Sequence, residues 1–541
     1  MTRALLVPLG LALTTMACGS NKTFPSLCAD QVPPPAACTT ACNAAPGAPN
    51  MCPQGYHCSA DGKCDIECTQ GGGQCGAGYG CTLDGRCVMG SGCTGIQCNI
   101  ANCASKGMQP TTISGTVFAP NGTLPLFGIN VYVPNSDPGP LKAGVQCGSC
   151  SNGFPGDPIV QVVTDEAGKF TLPSVPDGDN IPLVITTGKW RRQIKIPKVA
   201  ACSTTAIPAA DTTLPKSKDD MTANTTSVDL PQIAISTGSA DSLECLVRRL
   251  GIADKEITTD KEAGKIHLFA DFGSGTGMNG GQGTSSFNAT FPGGGRTFSD
   301  SKTLWGTDKD PGKLNNYDIV ILSCEGAQHA ETKPQQAMDH LKVYADLGGR
   351  VFLSHWHNIW IEGSTTPPPG TGAKPAVWSK LAQWSNDNTT GPTTDTIDEQ
   401  HNPKGPSFAT WMQNVNVPIP PMPPIPRDAI PIQDATGKST AISVDNNNVE
   451  QWVYLQKDAT TRVTQNFQFS TPNEKALEDR CGKVVFSDMH VSGGPAATDP
   501  MDNKTIFPYP KSCGTATDLS PQEKALAFMF FDISSCVGAI F

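Results

Sequence analysis

Three short apolar runs in the second half of the chain end in side chains that could do chemistry. These side chains are Cys324, Ser354, His355, His357 and His490. A cysteine or serine beside a histidine can act as nucleophile and general base in acyl transfer, and nearby backbone N–H groups can form the oxyanion hole. In this hypothesis Cys324 or Ser354 is the nucleophile and a histidine such as His355 or His490 is the base. Asp488 is the acidic residue placed to orient it.

Two other interpretations use the same part of the chain. As metal ligands, His355, His357 and His490 would form a histidine-rich site with Asp271 as a further ligand. A His-x-His pair on a strand points both rings to one side, which favours this use of His355 and His357. In the third interpretation these residues are packed at strand ends and do no chemistry. No organic cofactor is predicted, because the glycine-rich stretch 270–284 has neither a following helix pattern nor a Gly-Lys-Ser/Thr sequence.

A strand, a helix and a second strand position the first four of these residues. Residues 317–322 (YDIVIL) have the pattern of a buried strand, residues 335–347 that of a helix stopped by two glycines, and residues 351–353 form another apolar run. Such a unit predicts parallel strands, and sites in parallel sheets lie beyond the carboxyl ends of the strands. His490 ends a later strand pattern, so we expect all the candidate residues at one sheet edge.

The wider region 240–541 alternates strand and helix patterns, which predicts an α/β domain with a flavodoxin-like parallel sheet. A capping box at Ser520 and Glu523 starts its last helix. Residues 363–440 are rich in Pro, Thr, Gly and Asn, and they predict a long insertion over the domain.

The order of patterns in this region is similar to that of a known superfamily. YDIVIL, then GGRVFLSH, then a late GKVVFSDMH resemble the class I glutamine amidotransferase-like superfamily, including its trehalose-utilisation-like branch. The resemblance implies a nucleophilic cysteine between glycines after the strand at 350–353. This chain has SHWH at 354–357 instead. The comparison therefore predicts an inactive amidotransferase-like domain.

Residues 18–107 form a cysteine-rich module with an internal repeat. Each copy has C-x5-C-x5-C spacing, with Gly-Tyr before its middle cysteine and Asp-Gly before its last. The repeat resembles EGF-like modules, and disulfides are expected because there is little apolar surface to bury. Zinc is the alternative, although C-x5-C is not a zinc-knuckle spacing. With one preceding cysteine each, the two sets are Cys42, Cys52, Cys58 and Cys64, then Cys68, Cys75, Cys81 and Cys87.

Thirteen cysteines fall between Cys28 and Cys103, so one must pair elsewhere or stay free. The module could bind a partner at the cell surface or act as a spacer that holds the rest of the chain away from the membrane. The sequence favours neither use over the other.

Residues 111–237 show short alternating strands separated by Gly/Asp turns, which predict an all-β sandwich. ISGTVFAPNG, INVYVPN and TDEAGKFTLPSVPDG resemble the carboxypeptidase regulatory-like domain, which implies a transthyretin-like sandwich with an accessory role. Residues 201–226 are predicted to be a loop. Cys147 and Cys150 form a C-x-x-C in a loop pattern, which favours a structural disulfide over a redox motif. A Cys513–Cys536 bridge around the last helix is also predicted.

Composition limits the compartment and the partners. The 541 residues carry a net charge of −10 with scattered Lys and Arg, so no nucleic-acid surface is expected. Twenty-two cysteines indicate an oxidising compartment. Residues 1–17 have the pattern of a signal peptide, and TTMACGS resembles a bacterial lipobox in which Cys18 receives the lipid. The alternative is an ordinary secretion signal with an incidental Cys18.

The three modules together resemble predicted surface lipoproteins of myxobacteria and their relatives. The sequence therefore predicts an exported protein, anchored by its N-terminal lipid in the outer membrane, with a structural or binding role. A surface protein or a glycan is the expected partner. A secreted hydrolase and a metal- or ligand-binding protein are the alternatives.

Overall fold

The computed structural model describes most of residues 24–538, and the chain forms two compact units, Met1–Cys93 and Thr94–Ile540. The predicted signal peptide, Cys18 and Asp271 lie outside the described residues. The gaps within 24–538 are residues 30–33, 45–50, 54, 70–73, 76–78, 83, 90–92, 94, 149, 151–152, 271–284, 288–293, 364–377, 386–392, 417–424, 433–437, 492–512 and 514–518.

The first unit contains two small antiparallel ladders held by disulfides. Its strands are β1 (His57–Cys58), which pairs with β2 (Cys64–Asp65), and β3 (Tyr79–Cys81), which pairs with β4 (Cys87–Met89). Both repeats share one pairing scheme, in which the first cysteine bonds the third and the second bonds the fourth. The bonds are Cys42–Cys58 and Cys52–Cys64, then Cys68–Cys81 and Cys75–Cys87, with Cys28–Cys38 ahead of them.

These bonds confirm the predicted disulfides, and the zinc alternative is wrong for these ten cysteines because each sulfur is bonded to another sulfur. Half-cystines also form an apolar cluster in the second repeat, where Phe24 packs against Cys68, Cys75 and Cys87. The two Asp-Gly turns place their glycines at φ 71° and 70°, a left-handed conformation that glycine adopts without steric cost.

The second unit begins with a β-rich part made of two sheets. The five-stranded sheet has the order β12-β10-β9-β6-β7, and the three-stranded sheet has the order β11-β5-β8. Alternate residues of β8 are buried, as expected for a strand with one face on a core. The strands are β5 (Thr112–Thr116), β6 (Asn130–Pro134), β7 (Pro158–Val163), β8 (Lys169–Pro173), β9 (Gly178–Thr187), β10 (Trp190–Val199), β11 (Thr204–Ala206) and β12 (Thr225–Asp229).

The prediction of a loop over 201–226 is wrong in part. This stretch contains β11, the short helix α1 (Ala209–Thr212) and the start of β12. Leu214 and Thr212 are completely buried, and Cys202 bonds Cys103, the cysteine left over from the N-terminal set. The Ala/Thr-rich composition of this stretch does not indicate these elements, because they are short and depend on contacts with distant strands.

The rest of the second unit is built on a large mixed sheet. Its order is β14-β15-β13-β17-β18-β25-β24-β23-β20-β21, and β16 pairs beside β15. The strands are β13 (Ile233–Ser236), β14 (Ile257–Thr259), β15 (Ile266–Ala270), β16 (Ser299–Asp300), β17 (Ile319–Leu322), β18 (Arg350–Ser354), β20 (Thr393–Ile397), β21 (Ala429–Ile432), β23 (Glu450–Gln456), β24 (Arg462–Thr471) and β25 (Gly482–Ser487). A separate ladder pairs β19 (Ala382–Trp384) with β22 (Ala441–Val444).

The sheet changes from parallel to antiparallel at β25. The strands from β14 to β25 in the spatial order are parallel to their neighbours, and those from β25 to β21 are antiparallel. Residues 363–440 were predicted to lie over the domain as an insertion. In the structure they supply β20 and β21 and so extend the sheet itself.

The predicted boundary near residue 237 cuts through the large sheet. Ile233–Ser236 was assigned to the preceding domain, but it pairs between β15 and β17 near the middle of the parallel region. All four residues are buried because both faces of this strand are covered, so the strand lacks the apolar/polar alternation of a half-exposed strand. A short apolar strand at a domain junction carries no sequence pattern that indicates which of the two neighbouring sheets it joins.

The strand–helix–strand unit around Cys324 is confirmed. β17 and β18 are parallel, with Ile319 opposite Arg350, and every residue of both strands is buried. Helix α4 (Gln335–Asp346) connects them, and the capping box is present between Ser520 and Glu523 at the start of α7 (Pro521–Ser534). The helices of this region are α2 (Leu243–Arg249), α3 (Lys302–Trp305), α4 (Gln335–Asp346), α5 (Ile359–Glu362), α6 (Gly405–Val415) and α7 (Pro521–Ser534).

Helix α7 joins the β-rich part to the large sheet. Trp190 of β10 packs against Phe530 and Phe531, with ring centroids 5.6 and 5.4 Å away, while Phe528 lies 4.4 Å from Phe408 of α6. Each aromatic side chain buried in this way contributes about 1.5–3 kcal/mol. This shared core explains why the β-rich and mixed parts form one compact unit.

Two disulfides, Cys147–Cys481 and Cys150–Cys536, cross the same junction, and a third lies within the mixed part, but none forms in a predicted pair. Cys147 and Cys150 are both disulfide-bonded as expected, yet they do not bond each other. The bridge between Cys513 and Cys536 does not form either. The bonds are Cys147–Cys481, Cys150–Cys536 and Cys245–Cys513, all between residues more than 260 positions apart, distances over which sequence spacing carries no pairing information.

Candidate functional site

The carboxyl ends of four neighbouring parallel strands meet at one edge of the large sheet. Cys324 lies two residues beyond β17, His355 directly follows β18, and His490 follows β25. Beyond β13, Gly238 packs so closely that a Cβ atom there would lie 2.4 Å from the Cys324 carbonyl oxygen. The sequence therefore predicted correctly that the candidate residues share an edge, and glycine is needed where the β13 loop crosses it.

A thiol–imidazole pair lies at the centre of this edge. The Sγ atom of Cys324 is 3.4 Å from Nδ1 of His355, and both residues are buried. Cys324 is the free cysteine of the described part of the chain. Backbone N–H groups of Trp356 and Gly326 lie near the sulfur and act to lower the pKa of the thiol. The pair has the contact that a nucleophile and its base require.

The environment of Cys324 opposes ionisation. Burial raises the pKa of the thiol to about 12, and the nearby charges of Asp241 and Glu325 act in the same direction. The two backbone donors lower the pKa, but burial dominates. Reactive cysteines are usually partly exposed and sit near positive charge, so Cys324 has the features of an unreactive thiol.

His355 adopts a left-handed backbone conformation, with φ 42°. It stands where β18 ends and a 3₁₀ helix, His355–Asn358, begins. A side chain with a Cβ atom in this conformation costs about 1–2 kcal/mol, and such strained strand-to-helix turns hold the nucleophile in many hydrolases. Here the turn presents an imidazole ring to the Cys324 thiol.

His490 completes a three-residue cluster. Its ring centroid lies 5.0 Å from that of His355, and ligand atoms of Cys324, His355 and His490 all lie within 4.8 Å of one another. His490 is 3% exposed, and its Nε2 atom has no hydrogen-bond partner among the described residues. Burial, reinforced by the positive charge of Lys438, lowers the pKa of His490 to about 3, so the ring is neutral at physiological pH.

His357 does not join the cluster, which corrects the predicted histidine set. Its Nδ1 atom accepts a hydrogen bond from the Trp360 indole at 3.0 Å, and its Nε2 atom donates to the Ser323 carbonyl oxygen at 3.0 Å. The prediction placed His355 and His357 on a strand. In a 3₁₀ helix, residues two apart point about 240° apart, so the rings diverge.

Ser354 is paired with a carboxylate and not with a histidine. Its hydroxyl donates to Oδ2 of Asp241 at 2.6 Å. Oδ1 of Asp241 accepts from the backbone N–H groups of Val491 at 2.9 Å and Ser242 at 3.1 Å. Asp241 thus ties together the loops that follow β13, β18 and β25. Local sequence patterns do not indicate this role, because the three segments are distant along the chain.

Asp488 does not orient a histidine. Its carboxylate accepts from the hydroxyl and N–H of Thr440 and from the N–H of Ala441, so it faces the loop before β22. Burial raises the pKa of Asp488 to about 6. Asp488 was the acidic residue expected to orient a histidine, but its carboxylate is already bonded to Thr440 and Ala441.

A buried ion pair lies beside the cluster. Lys333 donates to Glu325 at 2.6 Å, and both side chains are at most 1% exposed. Burial works to raise the pKa of Glu325, but the Lys333 ammonium and His357 hold it below its usual range. The pair satisfies both charges locally, which buried charges require.

Comparisons with known proteins give no functional assignment. No protein-family model and no curated protein matches the chain. Among solved structures, a chain of a type II cohesin–X-dockerin complex from Acetivibrio cellulolyticus, an N-terminal interface mutant, matches with 16% identity. The match covers 29% of this chain and 88% of that chain, with a TM-score of 0.15. A TM-score this low does not define a shared fold.

Among the described residues, no helix is both long enough and apolar enough to cross a lipid bilayer.

Proposed function

We propose that this chain is an exported, lipid-anchored bacterial surface protein with a structural or binding role, whose amidotransferase-like site carries out no acyl transfer. The outer membrane is the proposed location and Cys18 the proposed lipid attachment site. The disulfides of both units support an oxidising compartment, where such bonds persist.

The observation that carries the proposal is that the sheet edge presents no activated nucleophile. Cys324 is 0% exposed, and burial raises the pKa of its thiol well above its usual range, so the thiol keeps its proton at neutral pH. Ser354 is fully buried and bonded to Asp241, so no histidine is in place to take its proton. Acyl transfer needs a nucleophile that substrate can reach and a base can activate.

The fold assignments form part of the proposal. The paired sheets of 112–229, one of five strands and one of three, support a transthyretin-like sandwich of the carboxypeptidase regulatory-like type. The parallel strands β14 to β25 support a flavodoxin-like, amidotransferase-like core with an antiparallel extension. Sandwiches of this kind serve as accessory modules, which favours binding of a surface protein or a glycan over catalysis.

The N-terminal unit fits a role as spacer or binding element. Two repeats with identical disulfide pairing form a short, covalently braced segment between the proposed lipid and the large unit. Small modules with little apolar core depend on such bonds for stability.

The proposed absence of acyl-transfer activity is tested with a diazoketone analogue of glutamine. This compound alkylates the active cysteine of working glutamine amidotransferases. We expect no adduct on the full-length native protein by intact-mass spectrometry, and the same result for Cys324→Ser. An adduct that maps to Cys324 or Ser354 in the native protein would overturn the proposal.

The lipid anchor has its own test. Cells that express the protein are labelled with palmitate and fractionated. We expect label on the wild-type chain in the outer-membrane fraction, and neither label nor membrane retention for Cys18→Ser. Label that persists in Cys18→Ser would rule out this attachment site.

A further inference from the structure

We propose that Cys324, His355 and His490 form a binding site for a late first-row transition-metal ion, with Zn²⁺ as its occupant. The inference goes beyond the proposed surface role and does not depend on it. The three residues come from the ends of β17, β18 and β25, and their ligand atoms lie within 4.8 Å of one another. A single ion between them would join three strands at the point where the sheet backbone ends.

The geometry of the closest pair already fits zinc. In a tetrahedral site with Zn–S of about 2.3 Å and Zn–N of about 2.0–2.1 Å, the sulfur and nitrogen atoms lie about 3.5 Å apart. Sγ of Cys324 and Nδ1 of His355 are 3.4 Å apart. The ligand atom of His490 lies within 4.8 Å of the other two, so a tetrahedral site needs it to move by no more than about 1.5 Å.

The donor set selects the class of metal. One thiolate with two imidazoles suits Zn²⁺ or copper, whereas Mg²⁺ and Ca²⁺ prefer oxygen ligands. Three protein ligands leave a fourth position for water or for a further side chain. Zinc is favoured over copper because its d electrons impose no coordination geometry. The ion can therefore adapt to the positions of the three side chains.

A second, independent observation points to a ligand at this place. Nε2 of His490 is buried without a hydrogen-bond partner among the described residues. Leaving a buried polar nitrogen unsatisfied costs about 1–3 kcal/mol, and coordination would remove that cost.

The surroundings balance the charge of the bound ion. On binding, the Cys324 thiol releases its proton to solvent and the thiolate bonds the metal, so the ion and sulfur together carry one positive charge. The negative charges of Asp241 and of Glu325, which is paired with Lys333, both act on the thiol. The positive charge of Lys438 disfavours a positive charge on the His490 ring. The N–H groups of Trp356 and Gly326 would orient the thiolate.

The placement suggests a structural brace. At the amino end of the same strands, the Cys147–Cys481 disulfide holds the residue that precedes β25. A metal at the carboxyl end would fasten the other end of β25 to β18 and β17. The strained turn at His355 would then be held by coordination, which accounts for a histidine at a left-handed position.

The experiment is metal analysis combined with cobalt substitution of the purified full-length protein. We expect one Zn²⁺ per chain by mass spectrometry of the metal content, and a thiolate-to-cobalt charge-transfer band after exchange with Co²⁺. Cys324→Ser should abolish the band, and His490→Gln should weaken Co²⁺ binding by about tenfold or more. The controls His357→Gln and His329→Gln keep all three ligands, so both should retain the band.

Circular dichroism on each variant separates loss of a ligand from loss of the fold, and the half-buried His329 gives a control that does not disturb the core. A folded wild-type protein that gives no charge-transfer band with Co²⁺ would overturn the proposal. So would a band that persists in folded Cys324→Ser. Neither outcome bears on the lipid anchor or on catalytic silence, so failure here is distinct from failure of the proposed function.

Discussion

The hydroxyl of Ser354 donates a 2.6 Å hydrogen bond to the carboxylate of Asp241, although the two residues are 113 positions apart. Asp241 also accepts from the backbone N–H of Val491. One carboxylate therefore fixes the chain after β13, β18 and β25. Ser354, a candidate nucleophile from the sequence, is a hydrogen-bond donor with a structural role in this network.

Removing the carboxylate should destabilise the protein more than removing the hydroxyl. Asp241→Ala leaves the Ser354 hydroxyl and the Val491 N–H buried without an acceptor, so we expect a loss of about 2–4 kcal/mol in the free energy of unfolding. Ser354→Ala removes one donor and should cost about 1 kcal/mol. Urea unfolding followed by tryptophan fluorescence measures both. Equal effects of the two variants would contradict this account of the network.

The long-range disulfides should stabilise the large unit. We expect the double variant Cys147→Ser/Cys481→Ser to lose about 2–5 kcal/mol and to unfold at a lower temperature, because the bond closes a loop of 334 residues. The control Cys28→Ser/Cys38→Ser removes a bond that lies within the N-terminal unit. Differential scanning calorimetry should show the main transition shifted in the first variant and unchanged in the second. A main transition that stays in place in the first variant would disprove the prediction.

Local patterns predicted the elements of the fold better than their partners. The βαβ unit, the capping box at Ser520 and the shared sheet edge follow from hydrophobic periodicity and capping chemistry, which act within a few residues. The side on which Ile233–Ser236 pairs, and the partners of Cys147 and Cys513, depend on contacts between distant segments. These contacts leave no trace in local sequence.

The candidate site shows the same limit at the level of side chains. Cys324, His355 and His490 were expected at one edge, and they lie together there. His357 was expected beside them because a strand was assumed to continue past Ser354. The turn at His355 is instead left-handed and opens a 3₁₀ helix, and positive φ is too uncommon outside glycine to be predicted from residue type, even for histidine. Asp241 was missed because its partners come from other strands.

Asp395 of β20 should make stability depend on pH. Burial raises the pKa of this carboxyl from 3.8 to about 8, and the Asp488 charge adds to the shift. Between these two values the folded state keeps a proton that the unfolded state releases, so this residue lowers stability progressively as pH rises from 3.8 through 8. We expect Asp395→Asn to be more stable than wild type above neutral pH, by on the order of 1–3 kcal/mol.

The measurement for Asp395 is chemical denaturation of wild type and variant across this pH range. The advantage of Asp395→Asn should grow with pH and vanish in acid. The control Asp339→Asn removes an exposed carboxylate on α4, so the comparison isolates the effect of burying the carboxyl. A constant difference between Asp395→Asn and wild type would contradict the assignment of a raised pKa.

The reactivity of Cys324 in the native protein tests most directly whether this sheet edge holds an accessible nucleophile. Full-length Cys18→Ser protein is treated with iodoacetamide without reductant, before and after unfolding in guanidinium, with and without a chelator, and the labelled site is mapped by mass spectrometry. We expect native Cys324 to stay unlabelled with or without the chelator, unfolded Cys324 to be labelled fully, and the signal to disappear in Cys324→Ser. Labelling of native Cys324 at the rate of an exposed thiol such as glutathione would contradict the claim that this sheet edge holds no accessible nucleophile.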